Sequence, residues 1–150
     1  NEIDWSNSEN YLGVTLTMKK FHRRKNDDIR SSRNFSHFMN RLNKRTFGSS
    51  GKRFNRSINR IPILEYSQSE DRYHYHTIIE IPKHSDGIRI HRERFKFMIR
   101  DSWLKTDFGY NQIDIQDLYK DNPQGWGSYI TKFLNSNDQT DWRNHRWITE

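Results

Sequence analysis

His74-Tyr75-His76 lies inside the run Arg72-Tyr-His-Tyr-His-Thr-Ile-Ile-Glu-Ile81. In a strand, side chains alternate between faces, so both imidazoles project the same way, roughly 7 Å apart. Two imidazole nitrogens so placed can grip one divalent metal ion. The spacing is equally compatible with two histidines on a solvated sheet face among polar neighbours. The chain contains no cysteine, which excludes disulfides and thiolate metal sites and leaves histidine and carboxylates as the available ligands.

Charge is the second chemical signal. The net charge is +7, but it is unevenly spread. Between Lys19 and Arg60 fourteen Lys and Arg stand against Asp27 and Asp28 alone, and the rest of the chain is mildly acidic. A basic lobe beside an acidic remainder suits a polyanion-binding surface with a cation site elsewhere. It also fits a solvated basic helix face. Phe21, Phe47 and Phe54 in that lobe suit either base stacking or a core.

The elements that must position these residues follow from length and patterning. At 150 residues the chain is the size of one domain. Only 31% of residues are hydrophobic while 14% are aromatic, so the core must rest on a few large side chains. No apolar run approaches a membrane span and no secretory signal opens the chain. An intracellular protein is expected, in the cytoplasm and nucleoid or in a host nucleus. The first residue is Asn1 rather than methionine, as in a domain excised from something longer.

Residues 11–18 alternate as a first strand, with Leu12, Val14, Leu16 and Met18 on one face and Thr15 and Thr17 on the other. Residues 22–30 read as a polar loop. From Ser31 or Ser32 as N-cap, Phe35, Phe38, Met39 and Leu42 form the stripe of an amphipathic helix that Gly48 ends. Residues 61–66 and 73–81 read as an antiparallel pair joined by the polar turn 67–71. A second helix is expected over 91–104 with Phe95, Met98, Ile99 and Trp103 inward, and a fourth strand over 111–119. A last short helix carries Trp126, Tyr129, Ile130, Phe133 and Leu134. The order βαββαβ followed by a helix predicts an α+β, ferredoxin-like split βαβ fold with a central antiparallel sheet. The tail, with Trp142 and Trp147 among Arg143, His145 and Arg146, fits an edge strand or a stacking arm.

Three motifs in this order carry a resemblance. His74-Tyr75-His76 resembles the His-hydrophobe-His motif of the HUH endonucleases. Tyr129-Ile-Thr-Lys132 resembles their Tyr-x-x-Lys motif, and Val14-Thr15-Leu16-Thr17 resembles the first-strand motif of replication initiator (Rep) proteins. The resemblance spans residues 11–135 and, with one motif tyrosine, points to the single-tyrosine class. It implies metal-dependent nicking and rejoining of single-stranded or hairpin origin DNA through a 5′-phosphotyrosine, which initiates rolling-circle replication.

It further implies residue roles. Glu65, nine residues before His74 on the preceding strand, resembles the acidic residue that completes the histidine pair. Two imidazoles and one carboxylate suit Mn²⁺ or Mg²⁺, and Zn²⁺ also binds such ligands. Glu70 falls in the turn, and Glu80 lies about 13 Å along the strand from His76. Tyr129 would be the nucleophile. It sits at one margin of its helical stripe with Lys132 about 60° further toward the polar side, and a merely buried tyrosine has the same spacing. Lys132 would lower the phenol's pKa or pair with the phosphate. Thr15, Thr17, Lys19, Lys20, Arg23 and Arg24 are the candidate DNA contacts.

The implied organisation is an N-terminal extension over 1–10, the nuclease domain over 11–136 and a tail or edge strand over 137–150. No Walker pattern occurs, since Gly48-Ser-Ser-Gly51-Lys52 is two residues too short for a P-loop. A helicase would then come from a further domain or from the host. A transposase-type nuclease and a non-catalytic ferredoxin-like nucleic-acid-binding module are the alternatives. A cupin-type metalloenzyme, which would pair the histidines with Glu80 in an all-β fold, is a third.

Overall fold

The computed structural model describes residues 3–20, 27–118 and 139–149, with the side chains of Lys52 and Arg53 left aside. After a 3-10 turn at Trp5–Asn10 come β1 (Tyr11–Met18), α1 (Asp27–Phe47), a short α2 (Ser50–Arg53), β2 (Arg60–Ser67), β3 (Arg72–Glu80), α3 (Arg92–Leu104) and β4 (Gly109–Asp117). The four strands form one sheet in the order β2-β3-β1-β4. Every neighbouring pair is antiparallel. This is the expected α+β, ferredoxin-like arrangement, and it leaves no room for the all-β cupin alternative.

Strand periodicity divides the sheet into two unlike faces. One carries Leu12, Val14, Leu16, Met18, Tyr75 and Ile79, all buried under Phe35, Phe38, Met39 and Leu42 of α1 and Phe95, Met98, Ile99 and Trp103 of α3. Large rings fill most of the volume, as the composition requires. The Phe38 ring lies edge-on to Trp103 with centroids 5.5 Å apart, and the Trp103 indole N–H donates to the Thr17 carbonyl at 3.0 Å. The opposite face is sealed only at one end, where Tyr11, Ile78, Leu118 and Trp147 pack with Ile3, Trp5 and Ile61.

Two boundaries differ from the sequence reading. Helix α1 begins at Asp27, so the last four residues of the expected loop are helical and neither Ser31 nor Ser32 is its cap. Asp27 and Asp28 in the first turn complement the helix dipole, and Asp27 is buried 3.9 Å from Arg30. Strand β4 begins and ends two residues earlier than expected. Gly109 starts it by passing so close to α3 that a Cβ there would stand 2.0 Å from the Trp103 carbonyl oxygen. Gly48 ends α1 as expected, in the left-handed conformation at φ 59°.

The tail resolves as an edge contact on β2. Thr140 bridges Ile63 and Arg146 bridges Arg60. The Asp141 amide donates to the Pro62 carbonyl at 2.9 Å. Arg60, flanked by Arg146 on this edge, has its guanidinium pushed down to about 10 by burial and by that neighbour's charge. The two tail tryptophans part company, Trp147 buried and Trp142 exposed. The expected last helix, with Tyr119 before it, lies outside the described residues.

Candidate functional site

Alternation along β3 places Tyr75 in the core and His74 and His76 on the opposite face. The Tyr75 ring packs 4.5 Å from that of Phe35, and its hydroxyl donates to Asp141 Oδ2 at 2.8 Å. Burial, then the adjacent Asp141 carboxylate, hold that phenol well above its ordinary pKa. The two imidazoles stand nearly parallel with centroids 6.5 Å apart. Glu65 of β2 is the direct cross-strand partner of His74, and its carboxylate lies 3.1 Å from His76 Nε2. The polar turn also folds back, because Asp71 adopts φ 54° and Glu70 Oε2 stands 3.1 Å from His74 Nε2.

Strand β1 supplies the other half of the arrangement. Thr15 is opposite His76 and Thr17 opposite His74. Their hydroxyls meet the two Nδ1 atoms at 3.3 and 3.1 Å. Each imidazole is therefore held at Nδ1 by a threonine and directs Nε2 toward a carboxylate. A ring whose Nδ1–H donates to a hydroxyl presents a lone pair at Nε2, the tautomer a metal ligand needs.

His74 Nε2 is buried without a hydrogen bond, the nearby Glu70 oxygen standing at ion-pair distance but outside hydrogen-bond geometry. An orphaned ring nitrogen facing carboxylates fits a hard divalent cation chemically. As they stand, the four side chains form two imidazole–carboxylate pairs, and among the described residues no three such groups already converge as a metal cluster.

The other expected site residues divide into three groups. Thr17 is only 1% exposed, which corrects its expected role: its hydroxyl is committed to His74 rather than offered to DNA. Thr15 is likewise bonded to His76. Lys19 and Lys20 are exposed directly after β1, at the His74 end of the sheet. Arg23, Arg24, Tyr129 and Lys132 lie outside the described residues. Glu80 faces away from this chemistry, accepting hydrogen bonds from Asn59 at 2.8 Å and Asn7 at 3.1 Å.

Sequence reasoning missed two features. It assigned Glu70 to the turn and set it aside. It also took the threonines as surface groups, because their pairing with the histidines appears only once the β1–β3 register is known.

Among the described residues no helix is long and apolar enough to cross a membrane. No curated protein and no solved structure matches the chain. A family model does: that of the replication-associated protein ORF2, over residues 12–138. The match takes in all four strands and both long helices, and with them every side chain of the imidazole face. The chain belongs to the replication-associated protein ORF2 family.

Proposed function

We propose that this chain is an HUH-type, single-tyrosine endonuclease and strand transferase that nicks and rejoins single-stranded or hairpin origin DNA to start rolling-circle replication. The observation that carries the reading is the shared face of Glu65, His74 and His76, its imidazoles oriented by Thr15 and Thr17, in a member of a replication-associated family.

Glu65, His74 and His76 would hold Mn²⁺ or Mg²⁺, with Zn²⁺ a chemically acceptable substitute, and Glu70 is close enough to add a fourth donor. Such an ion, when bound, withdraws charge from the scissile phosphate and stabilises the departing oxygen. The protein's own groups do the rest. The Tyr129 phenol oxygen, its proton lost to solvent, attacks phosphorus. A phosphorus–oxygen bond to tyrosine forms as the bond to the 3′ oxygen breaks, and that oxygen leaves as a hydroxyl after taking up a proton. The phosphotyrosine conserves the bond energy that hydrolysis would discard, so the reverse attack by a 3′ hydroxyl rejoins the strand. Lys132 favours the phenolate and neutralises the phosphate.

Connectivity is consistent with these roles. The described chain leaves the sheet beside β4 at Leu118 and returns beside β2 at Thr140. Tyr129 is eleven residues from each, and eleven residues span at most about 40 Å. The sheet face is within that reach. A helicase, in the same polypeptide or supplied by the host, would unwind the duplex.

The test is incubation with a pool of origin-like hairpins and single strands in Mn²⁺, followed by a denaturing gel. A covalent protein–DNA adduct is expected from the wild type and none from Tyr129→Phe. Tight binding without adduct on every substrate would instead indicate a non-catalytic nucleic-acid-binding module. Recovery of strand-transfer products between unlike ends would favour a transposase-type reaction.

A further inference from the structure

Arg72 shares the face of the histidines, two residues before His74 and so about 7 Å from it along β3. Its guanidinium carbon lies 4.3 Å from the centroid of the Tyr110 ring. Tyr110 belongs to β4, and β1 stands between β3 and β4. The arginine therefore arches across the end of β1, just past Thr17, and is held there by the ring.

The carboxylates nearest in sequence are engaged elsewhere. Glu65 and Glu70 turn to the imidazoles, and Asp71 accepts from the Tyr66 hydroxyl. Among the described residues no carboxylate pairs with Arg72. A guanidinium stacked by its face keeps its N–H edge for an anion, and the planar fork matches a phosphate. Exposed Lys19 and Lys20 lie at the same end of the sheet, so the local field favours an anion there.

We infer that Arg72, stacked on Tyr110, is a phosphate clamp for a single DNA strand, gripping a phosphodiester next to the one positioned at His74 and His76. The inference rests on the proposed nuclease reading for the identity of the strand. Its geometry does not depend on cleavage. Tyr110 is a positioning residue, keeping a long side chain extended over the sheet so that little rotamer freedom is lost when the phosphate arrives.

The experiment measures binding of a fluorescent oligo(dT) by anisotropy in EDTA, where no cleavage occurs, over a series of salt concentrations. Losing one phosphate contact on a single strand should lower the slope of log K against log salt by about 0.7. Arg72→Ala is expected to bind about tenfold more weakly with that reduced slope, and to show the wild-type circular dichroism spectrum. Arg72→Lys keeps the charge but not the planar fork, so several-fold weaker binding at the wild-type slope is expected. Tyr110→Ala should resemble Arg72→Lys, and Tyr110→Phe, which keeps the ring, the wild type. Wild-type affinity and slope in folded Arg72→Ala would overturn the clamp, and if that variant does not fold, wild-type affinity in Arg72→Lys does so. A wild type that binds with this Arg72 dependence but forms no adduct in Mn²⁺ refutes the nuclease reading and upholds the clamp.

Discussion

Thr17 differs from valine by one hydroxyl, and that hydroxyl is bonded to His74 Nδ1 in a buried position. Thr17→Val should leave the fold intact yet release the ring's tautomer and orientation. Groups that orient metal-binding imidazoles are typically worth about 10- to 100-fold in metal affinity. We expect Mn²⁺ binding, followed by isothermal titration calorimetry, to weaken about tenfold in Thr17→Val. Glu65→Gln should cost more, since it removes a charged ligand, and Glu70→Gln less, since Glu70 is held on a turn rather than a strand. Equal affinities in all three variants would show that this face does not hold the ion. The histidine pair was legible from residue spacing. Its threonine support was not, because hydroxyls on a neighbouring strand are identified only by register.

At the level of elements, the tail and α3 lend themselves to measurement. Asp141 accepts from Tyr75 at 2.8 Å and from Ser32 at 3.2 Å, and Asn144 donates to it and to the Ser32 carbonyl. Asp141→Ala would strand the buried Tyr75 hydroxyl, a loss of about 1–3 kcal/mol by urea denaturation. Tyr75→Phe, which removes the donor as well, should lose only about 1 kcal/mol.

Strand β4 is tied to α3 by Asp117, which meets Arg92 at 2.6 Å and Lys96 at 3.3 Å. Burial acts to raise the Asp117 pKa, but the Arg92 hydrogen bond and the two positive charges outweigh it and hold it below the ordinary carboxylate value. The contribution of Asp117 to stability is therefore present above its unfolded pKa and is lost as pH falls through the folded one. Asp117→Asn should be less stable than wild type at neutral pH, and the two should converge in acid. Strands and helix stripes were legible because their periodicities differ. The start of α1 was not, because a polar first turn looks like a loop, and the tail's docking depends on contacts between segments far apart in sequence.

For the molecule as a whole, the α+β plan was legible in the order of its patterned segments, and the sidedness of the sheet in the threonine–leucine alternation of β1. What the sequence left open was how the open face is bounded, since Tyr11 meets Trp147 at 5.1 Å across almost the whole chain length. The Tyr11 phenol is pushed up to about 12, first by burial and then by the charge of Glu80. Because the folded value exceeds the unfolded one near 10, this stability is complete below about pH 10 and drains away as pH rises through about 12. Tyr11→Phe should flatten that part of the alkaline unfolding curve.

The pairing of β3 with its neighbours has one more consequence. Slipping β3 by a single residue against both partners would push two imidazoles under α1 and α3 and expel Tyr75 into water, exchanging every side chain between the faces at once. The fold thus proofreads its own chemistry: a molecule that has buried its aromatic core correctly has, by the same act, assembled the histidine face, and a misassembled one has neither.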